Sequence, residues 1–218
     1  MAVLFAVVLF LFLVQFVLAM VFTLRSKSFA SDQLLTIDRI SILVPFHNEE
    51  LRISKLLKSL NNQTVFSDRI ELIFIDDHST DKSVEVIKGF LKVPHRIVTS
   101  KAEKGKKYAI HQGVLQTRYD YILTLDADIE LDDSYLEKVL ECAVSDMIIL
   151  PVEMTGKTFF EVLALIEFKW LQVLTFGSKK PILCNGANLL FNKTAYLNAY
   201  KGRTDFDLAS GDDAFLLQ

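Results

Sequence analysis

Between residues 40 and 126 short apolar runs alternate with stretches of helical spacing, and this alternation limits the fold more than any other feature. Residues 40–45, ISILVP, form a β-branched run ended by proline, which reads as a buried strand. Further strands are expected at 70–77, 96–98 and 121–126, and helices at 49–60, 82–91 and 106–116, where apolar residues such as Leu51, Leu56, Leu57 and Leu60 recur near helical spacing. Strand and helix in strict succession argue for an α/β domain: a Rossmann-like, mostly parallel sheet with helices on both faces. In such sheets ligands bind outside the carboxyl ends of the strands. Polar residues gather at those ends here, as His47-Asn48-Glu49, Asp76-Asp77-His78 and Asp126-Ala127-Asp128. Three hydrophilic strand ends imply one site assembled from several loops.

Past Leu131 the alternation fades. A helix is expected at 134–143 and a strand at 147–151. Residues 158–176 are apolar but carry Glu161, Glu167 and Lys169, which disfavours a second membrane span and favours an amphipathic helix lying on a membrane or over the sheet. Asn185-Gly186-Ala187-Asn188 is a turn of small residues before a short apolar run.

The amino-terminus poses a separate question. Residues 2–24 contain no charge, and only Gln15 and Thr23 interrupt the apolar run. A helix of that length crosses a hydrocarbon core roughly 30 Å thick. A cleaved signal peptide is the competing reading, but no basic segment precedes the run and no small-residue cleavage site follows it. The expected organisation is a membrane anchor at 1–24, a polar linker at 25–38 with no core of its own, and one catalytic domain at 39–218. Arg25 and Lys27 directly after the span place the domain in the cytoplasm, at the cell membrane. Cys142 and Cys184, read as buried free thiols, agree with a reducing compartment. A net charge of −3 with scattered Lys and Arg gives no basic face, so nucleic acid is not an expected partner.

Four motifs carry the chemistry. Asp126 and Asp128, one residue apart at a strand exit, suit a hard cation such as Mg²⁺ or Mn²⁺, although a solvated acidic turn has the same composition. The stretch Asp76-Asp77-His78-Ser79-Thr80-Asp81 supplies a helix cap, and a carboxylate within it can accept from a ribose hydroxyl or base N–H. Lys104-Gly105-Lys106-Lys107 opens a helix, an arrangement that suits a diphosphate or a solvated basic turn. Gly211-Asp212-Asp213 offers either a helix cap or a positioned general base.

Taken in order, SILVPFHNEE, IELIFIDDHSTDKS, KGKKYAIHQGV, YILTLDADIEL, CNGANLLF and ASGDDAFLL resemble the family-two glycosyltransferases of the GT-A fold, from residue 40 to the last residue. The resemblance implies a nucleotide-diphospho-sugar donor, a divalent metal, and transfer to a hydroxyl acceptor in one inverting displacement. Carried over residue by residue, it places Pro45, His47 and Glu49 in the nucleoside pocket and Asp77 on the base or ribose. It puts Lys106 near the donor phosphates, Asp126 and Asp128 on metal and diphosphate, and Gly186 and Asn188 by the donor sugar or acceptor. Asp213 becomes the base. Together with the membrane anchor, these features point to a lipid-linked, cell-envelope or glycan acceptor.

Departures from the family pattern are His78 where glycine is usual and Ile110-His111 where leucine-asparagine is usual. The sequence also stops five residues after Asp213, where relatives continue toward an acceptor-site helix, so the catalytic domain is expected to be incomplete. Two rival functions share these residues. One is a membrane protein that binds nucleotide-sugar without turnover. The other is a sugar nucleotidyltransferase, whose glycine-rich amino-terminal loop is missing here.

Overall fold

The computed structural model describes residues 36–65, 68–101, 105–142, 144–153 and 187–201, with Val14, Val17, Thr158, Glu161 and Leu165. The remainder of the expected span at 1–24 and of the amphipathic helix at 158–176 lies outside the described residues, as do Gly186, Cys184 and Asp213. Among the described residues no helix is long and apolar enough to cross a membrane. The chain divides into two units, Met1–Asp32 with Pro151–Cys184, and Gln33–Leu150 with Asn185–Leu216. In the first unit, Thr158 and Glu161 exchange reciprocal bonds, Thr158 N–H to Glu161 Oε2 at 2.9 Å and Glu161 N–H to Thr158 Oγ1 at 3.3 Å. That reciprocal pairing has the form of a capping box.

The second unit is built on a six-stranded sheet of order β3-β2-β1-β4-β6-β5. Its strands are β1 (Ile40–Phe46), β2 (Ile70–Asp76), β3 (Arg96–Thr99), β4 (Tyr121–Leu125), β5 (Met147–Ile149) and β6 (Asn188–Asn192). The helices are α1 (Ser54–Asn61), α2 (Ser83–Phe90), α3 (Lys106–Gln116), α4 (Tyr135–Leu140) and α5 (Lys193–Tyr200). Strands β1 to β4 pair in parallel, as the alternation predicts. β6 runs antiparallel to both β4 and β5, so the sheet is mixed on that side.

Every residue of β1 and β2 is buried, because helices cover both faces of these central strands. Ile42, Val44, Phe46, Leu72 and Phe74 join Leu56, Leu57 and Leu60 of α1, Ile87 of α2 and Leu136 of α4 in one core. Leu43 and Ile75 face α3 instead. Gly113 permits that approach, since a Cβ there would stand 2.3 Å from Ile75 Cδ1 and 3.1 Å from Leu43 Cδ1.

Ser41 and Glu71 are buried polar side chains within the central strands, and each is satisfied locally. Ser41 Oγ–H donates to Glu71 Oε2 at 2.7 Å. The same carboxylate takes the Arg96 guanidinium at 2.7 Å and the Arg118 N–H at 2.8 Å.

Several expectations change in detail. The first helix starts at Ser54 rather than at residue 49, because residues 50–53 form turns, and Leu51 is 91% exposed rather than part of the core. Ile37, read as linker, is buried in the core, and its N–H bonds the Cys142 carbonyl at 3.3 Å. Cys142 is a free thiol, half-buried rather than buried, and burial pushes its pKa up. His111 stacks on Tyr196 and Tyr200, with centroids 5.9 and 5.3 Å away, so it packs α3 against α5. Burial holds its pKa below the ordinary histidine value.

Candidate functional site

Four segments that are distant in sequence meet at the carboxyl edge of β1, β2 and β4. Parallel register sets Phe46 beside Asp76, so the residues that follow each strand emerge side by side. Together with the start of α3 they bound a cleft of about 270 Å³. Its walls are Pro45, Phe46, His47 and Glu49 from β1 and its exit, Asp77 after β2, Lys106 at the start of α3, and Asp126, Ala127 and Asp128 after β4. Seven of the residues picked out in the sequence therefore share one cleft: Pro45, His47, Glu49, Asp77, Lys106, Asp126 and Asp128.

The two exit loops are stitched to each other by hydrogen bonds. Asn48 N–H donates to Ser79 Oγ at 3.1 Å, Thr80 N–H to Asn48 Oδ1 at 2.8 Å, and Glu49 N–H to Ser83 Oγ at 2.8 Å. Asp81 accepts from Glu50 N–H at 3.0 Å through one oxygen and from Ser83 N–H at 3.0 Å through the other. Within the stretch expected to cap α2, Asp81 thus bonds the helix start while Ser79 holds the neighbouring loop. Two non-glycine residues take left-handed backbone angles to make these turns, Asn48 at φ 55° and His78 at φ 61°. The second explains why the family pattern has glycine at that place.

Asp77 is buried and committed to the scaffold. Its Oδ2 accepts the Gly105 N–H at 2.9 Å and its Oδ1 pairs with His78 Nδ1 at 3.2 Å. Gly105, with φ 143°, precedes α3 in a conformation that side chains avoid, and the carboxylate beside it complements the positive end of the helix. His47 Nδ1 lies 2.7 Å from the Asp77 carbonyl, and its Nε2 lies 3.2 Å from Asn48 Nδ2. A carbonyl only accepts, so Nδ1 carries the proton and Nε2 accepts from the amide.

The acidic wall is balanced unevenly. Lys106 Nζ donates to Asp126 Oδ1 at 2.5 Å. Arg52 donates to Glu49 Oε1 at 2.8 Å, while the other Glu49 oxygen is buried with no hydrogen-bond partner among the described residues. Burial, together with the nearby Asp128 and Asp126 carboxylates, raises the Glu49 pKa against the lowering effect of Arg52.

Asp126 and Asp128 offer hard oxygen donors to the same cleft. No three His, Cys, Asp or Glu side chains converge as a metal cage among the described residues. The donor set fits Mg²⁺ or Mn²⁺, which accept one or two carboxylates and complete their shell with water or phosphate oxygens.

Asn188 is not among the cleft residues. It begins β6 opposite Leu125, and its Oδ1 accepts from Tyr135 Oη at 2.5 Å. Burial pushes the Tyr135 phenol well above its ordinary pKa. Ala127 lines the cleft too and was missed, since the sequence offers it only as the spacer between two carboxylates. Arg52 was missed as well, although a carboxylate and an arginine three residues apart on a helical turn are a readable pair.

Known proteins resemble this chain in sequence and in fold. The chain is 34% identical over 110 residues to 4,4'-diaponeurosporenoate glycosyltransferase of Staphylococcus haemolyticus, covering 49% of this chain and 28% of that protein. It is 32% identical over 126 residues to the putative glycosyltransferase EpsH of Bacillus subtilis, covering 55% and 36%. The chain thus spans about a third of the length of these relatives. The mannosyltransferase PcManGT of Pyrobaculum calidifontis, solved with GDP-Man and Mn²⁺, shares the fold at a TM-score of 0.61 and 16% identity, over 92% of this chain and 59% of that one. The model of glycosyl transferase family 2 matches residues 41–167, more than half of the sequence, and the chain belongs to that family.

Proposed function

We propose that this chain is a glycosyltransferase that moves a sugar from a nucleoside-diphosphate donor to a hydroxyl acceptor with inversion. The observation that carries the reading is the cleft itself. Asp77, Lys106, Asp126 and Asp128 come from two strand exits and a helix start, and all of them face one space.

In this reading Pro45, His47 and Glu49 form the wall for the nucleoside. Asp77 fixes the α3 start on one side of the cleft, and its carboxylate contacts the base or ribose on the other. Lys106 opens α3, so its ammonium and the free N–H groups of the first turn meet the donor phosphates together. A divalent cation, Mg²⁺ or Mn²⁺, held by Asp126 and Asp128 would neutralise the charge that develops on the departing diphosphate. Asp213 takes the proton from the acceptor hydroxyl as its oxygen attacks the anomeric carbon from the opposite side. Gly186 borders the sugar or the acceptor, while Asn188 supports that loop from within β6. The apolar segment at 1–24, followed by Arg25 and Lys27, supports a membrane anchor with the domain in the cytoplasm. That location supports a lipid-linked or glycan acceptor of the cell envelope.

Two variants test the reading. Asp213→Asn should lower sugar transfer by about 10²–10⁴-fold, the worth of a positioned base, while leaving nucleotide affinity nearly unchanged. Asp126→Ala should remove metal-dependent binding of the nucleoside diphosphate in calorimetry. Full transfer by the first variant, or unaltered affinity in the second, overturns the assignment. Donor binding without release of sugar by the wild-type chain would favour a binding protein without turnover.

A further inference from the structure

Each aspartate of the Asp126-Ala127-Asp128 turn has a cation beside it. Lys106 stands on Asp126, and Arg52 is shared between two acids. Its Nη2 lies 2.8 Å from Glu49 Oε1, and its Nη1 lies 3.8 Å from Asp128 Oδ2. Arg52 belongs to the turn before α1, and its side chain is 62% exposed, so it reaches the acids from the rim of the cleft. Glu49 and Asp128 both line that cleft.

We propose that Arg52 is the resident countercation of Asp128 and a positioning residue that couples metal binding to donor binding. The inference rests on the proposed function and deepens it. A divalent ion that takes Asp128 must displace the guanidinium, since the two cations compete for one carboxylate and repel each other. The displaced guanidinium stays anchored through Glu49 at the cleft rim. Its planar fork matches phosphate oxygens, so an arriving diphosphate gains the donor that Asp128 has given up. Arg52 therefore opposes entry of the metal alone and favours metal together with nucleoside diphosphate. By linkage the coupling is reciprocal, each ligand raising affinity for the other.

Calorimetric titration of the full chain in detergent tests this, first with Mn²⁺ alone, then with UDP and GDP at saturating Mn²⁺. Arg52→Gln should bind Mn²⁺ alone about threefold to fivefold more tightly, the range that a half-exposed ion pair is worth. The same variant should bind whichever nucleoside diphosphate the wild type takes about tenfold more weakly, having lost a charge-assisted contact. Arg52→Lys keeps the charge and should hold Mn²⁺ affinity near the wild-type value. If Arg52→Gln lowers both affinities together, the residue only clamps the loop, and the proposal is wrong. If it changes neither, the ion pair is solvated surface, and the proposal is equally wrong. A wild-type chain that binds neither Mn²⁺ nor nucleotide defeats the proposed function and this inference with it. Wild-type binding of both, with no opposed shifts in Arg52→Gln, defeats the role of Arg52 alone.

Discussion

One oxygen of the Asp77 carboxylate accepts the Gly105 N–H at 2.9 Å, a bond that ties the exit of β2 to the first turn of α3. The next residue, Lys106, pairs with Asp126 at the exit of β4. The placement of the lysine in the cleft thus depends on a glycine whose φ of 143° no side chain adopts without strain. Gly105→Ala should cost about 1–3 kcal/mol in denaturant unfolding and weaken nucleotide binding as Lys106 shifts. An alanine variant with wild-type stability and affinity would show that the loop adapts freely.

His78 holds φ 61° with a side chain attached. Left-handed backbone costs a non-glycine residue about 1–2 kcal/mol, part of which glycine returns through its freer unfolded chain. His78→Gly should therefore stabilise the fold by about 0.5–1 kcal/mol in urea. A clear loss of stability would instead mean that the imidazole contact with Asp77 outweighs the backbone cost.

Glu49 supplies a pH signature. Burial and the carboxylates of Asp128 and Asp126 raise its pKa above the ordinary 4.5, so the folded chain holds this proton more tightly than the unfolded chain. Stability from this group is complete below pH 4.5 and declines as pH rises through the raised folded value. Glu49→Gln removes the decline. Without metal, the variant should gain stability relative to wild type on going from acid to neutral pH, as read from unfolding midpoints. A difference that does not vary with pH would exclude the burial of this charge as its cause.

Glu71 makes a prediction away from the cleft. It is buried among the Ser41 hydroxyl, the Arg96 guanidinium and the Arg118 N–H. Glu71→Ala removes the acceptor these three donors share, leaving the buried Ser41 hydroxyl without it, and should cost about 1–3 kcal/mol, with little effect on nucleotide affinity. Thermal unfolding and a nucleotide titration on one sample separate the two effects.

Much of the fold was legible because local rules and tertiary structure agree along the central strands. Buried strands such as β1 and β2 must be apolar on both faces, and proline or carboxylates at their ends announce where the chain leaves the sheet. Leu51 misled for the converse reason. Helical spacing identifies a face only if the helix exists there, and the bonds from Asn48, Glu49 and Glu50 to the 79–83 loop hold that segment in turns. His111 reads in the sequence only as a departure from the family pattern, since only the fold shows that Tyr196 and Tyr200, more than eighty residues later, stack upon it.

The sequence by itself determined the alternation of strand and helix, the acidic strand exits and the lysine at the head of α3, because period, capping and turn chemistry act over a few residues. Only the tertiary structure decided which charges neutralise one another. Lys106 on Asp126, Arg52 on Asp128, and Asp77 on Gly105 are through-space pairings, set by the parallel register of β1, β2 and β4 rather than by any neighbour in the chain.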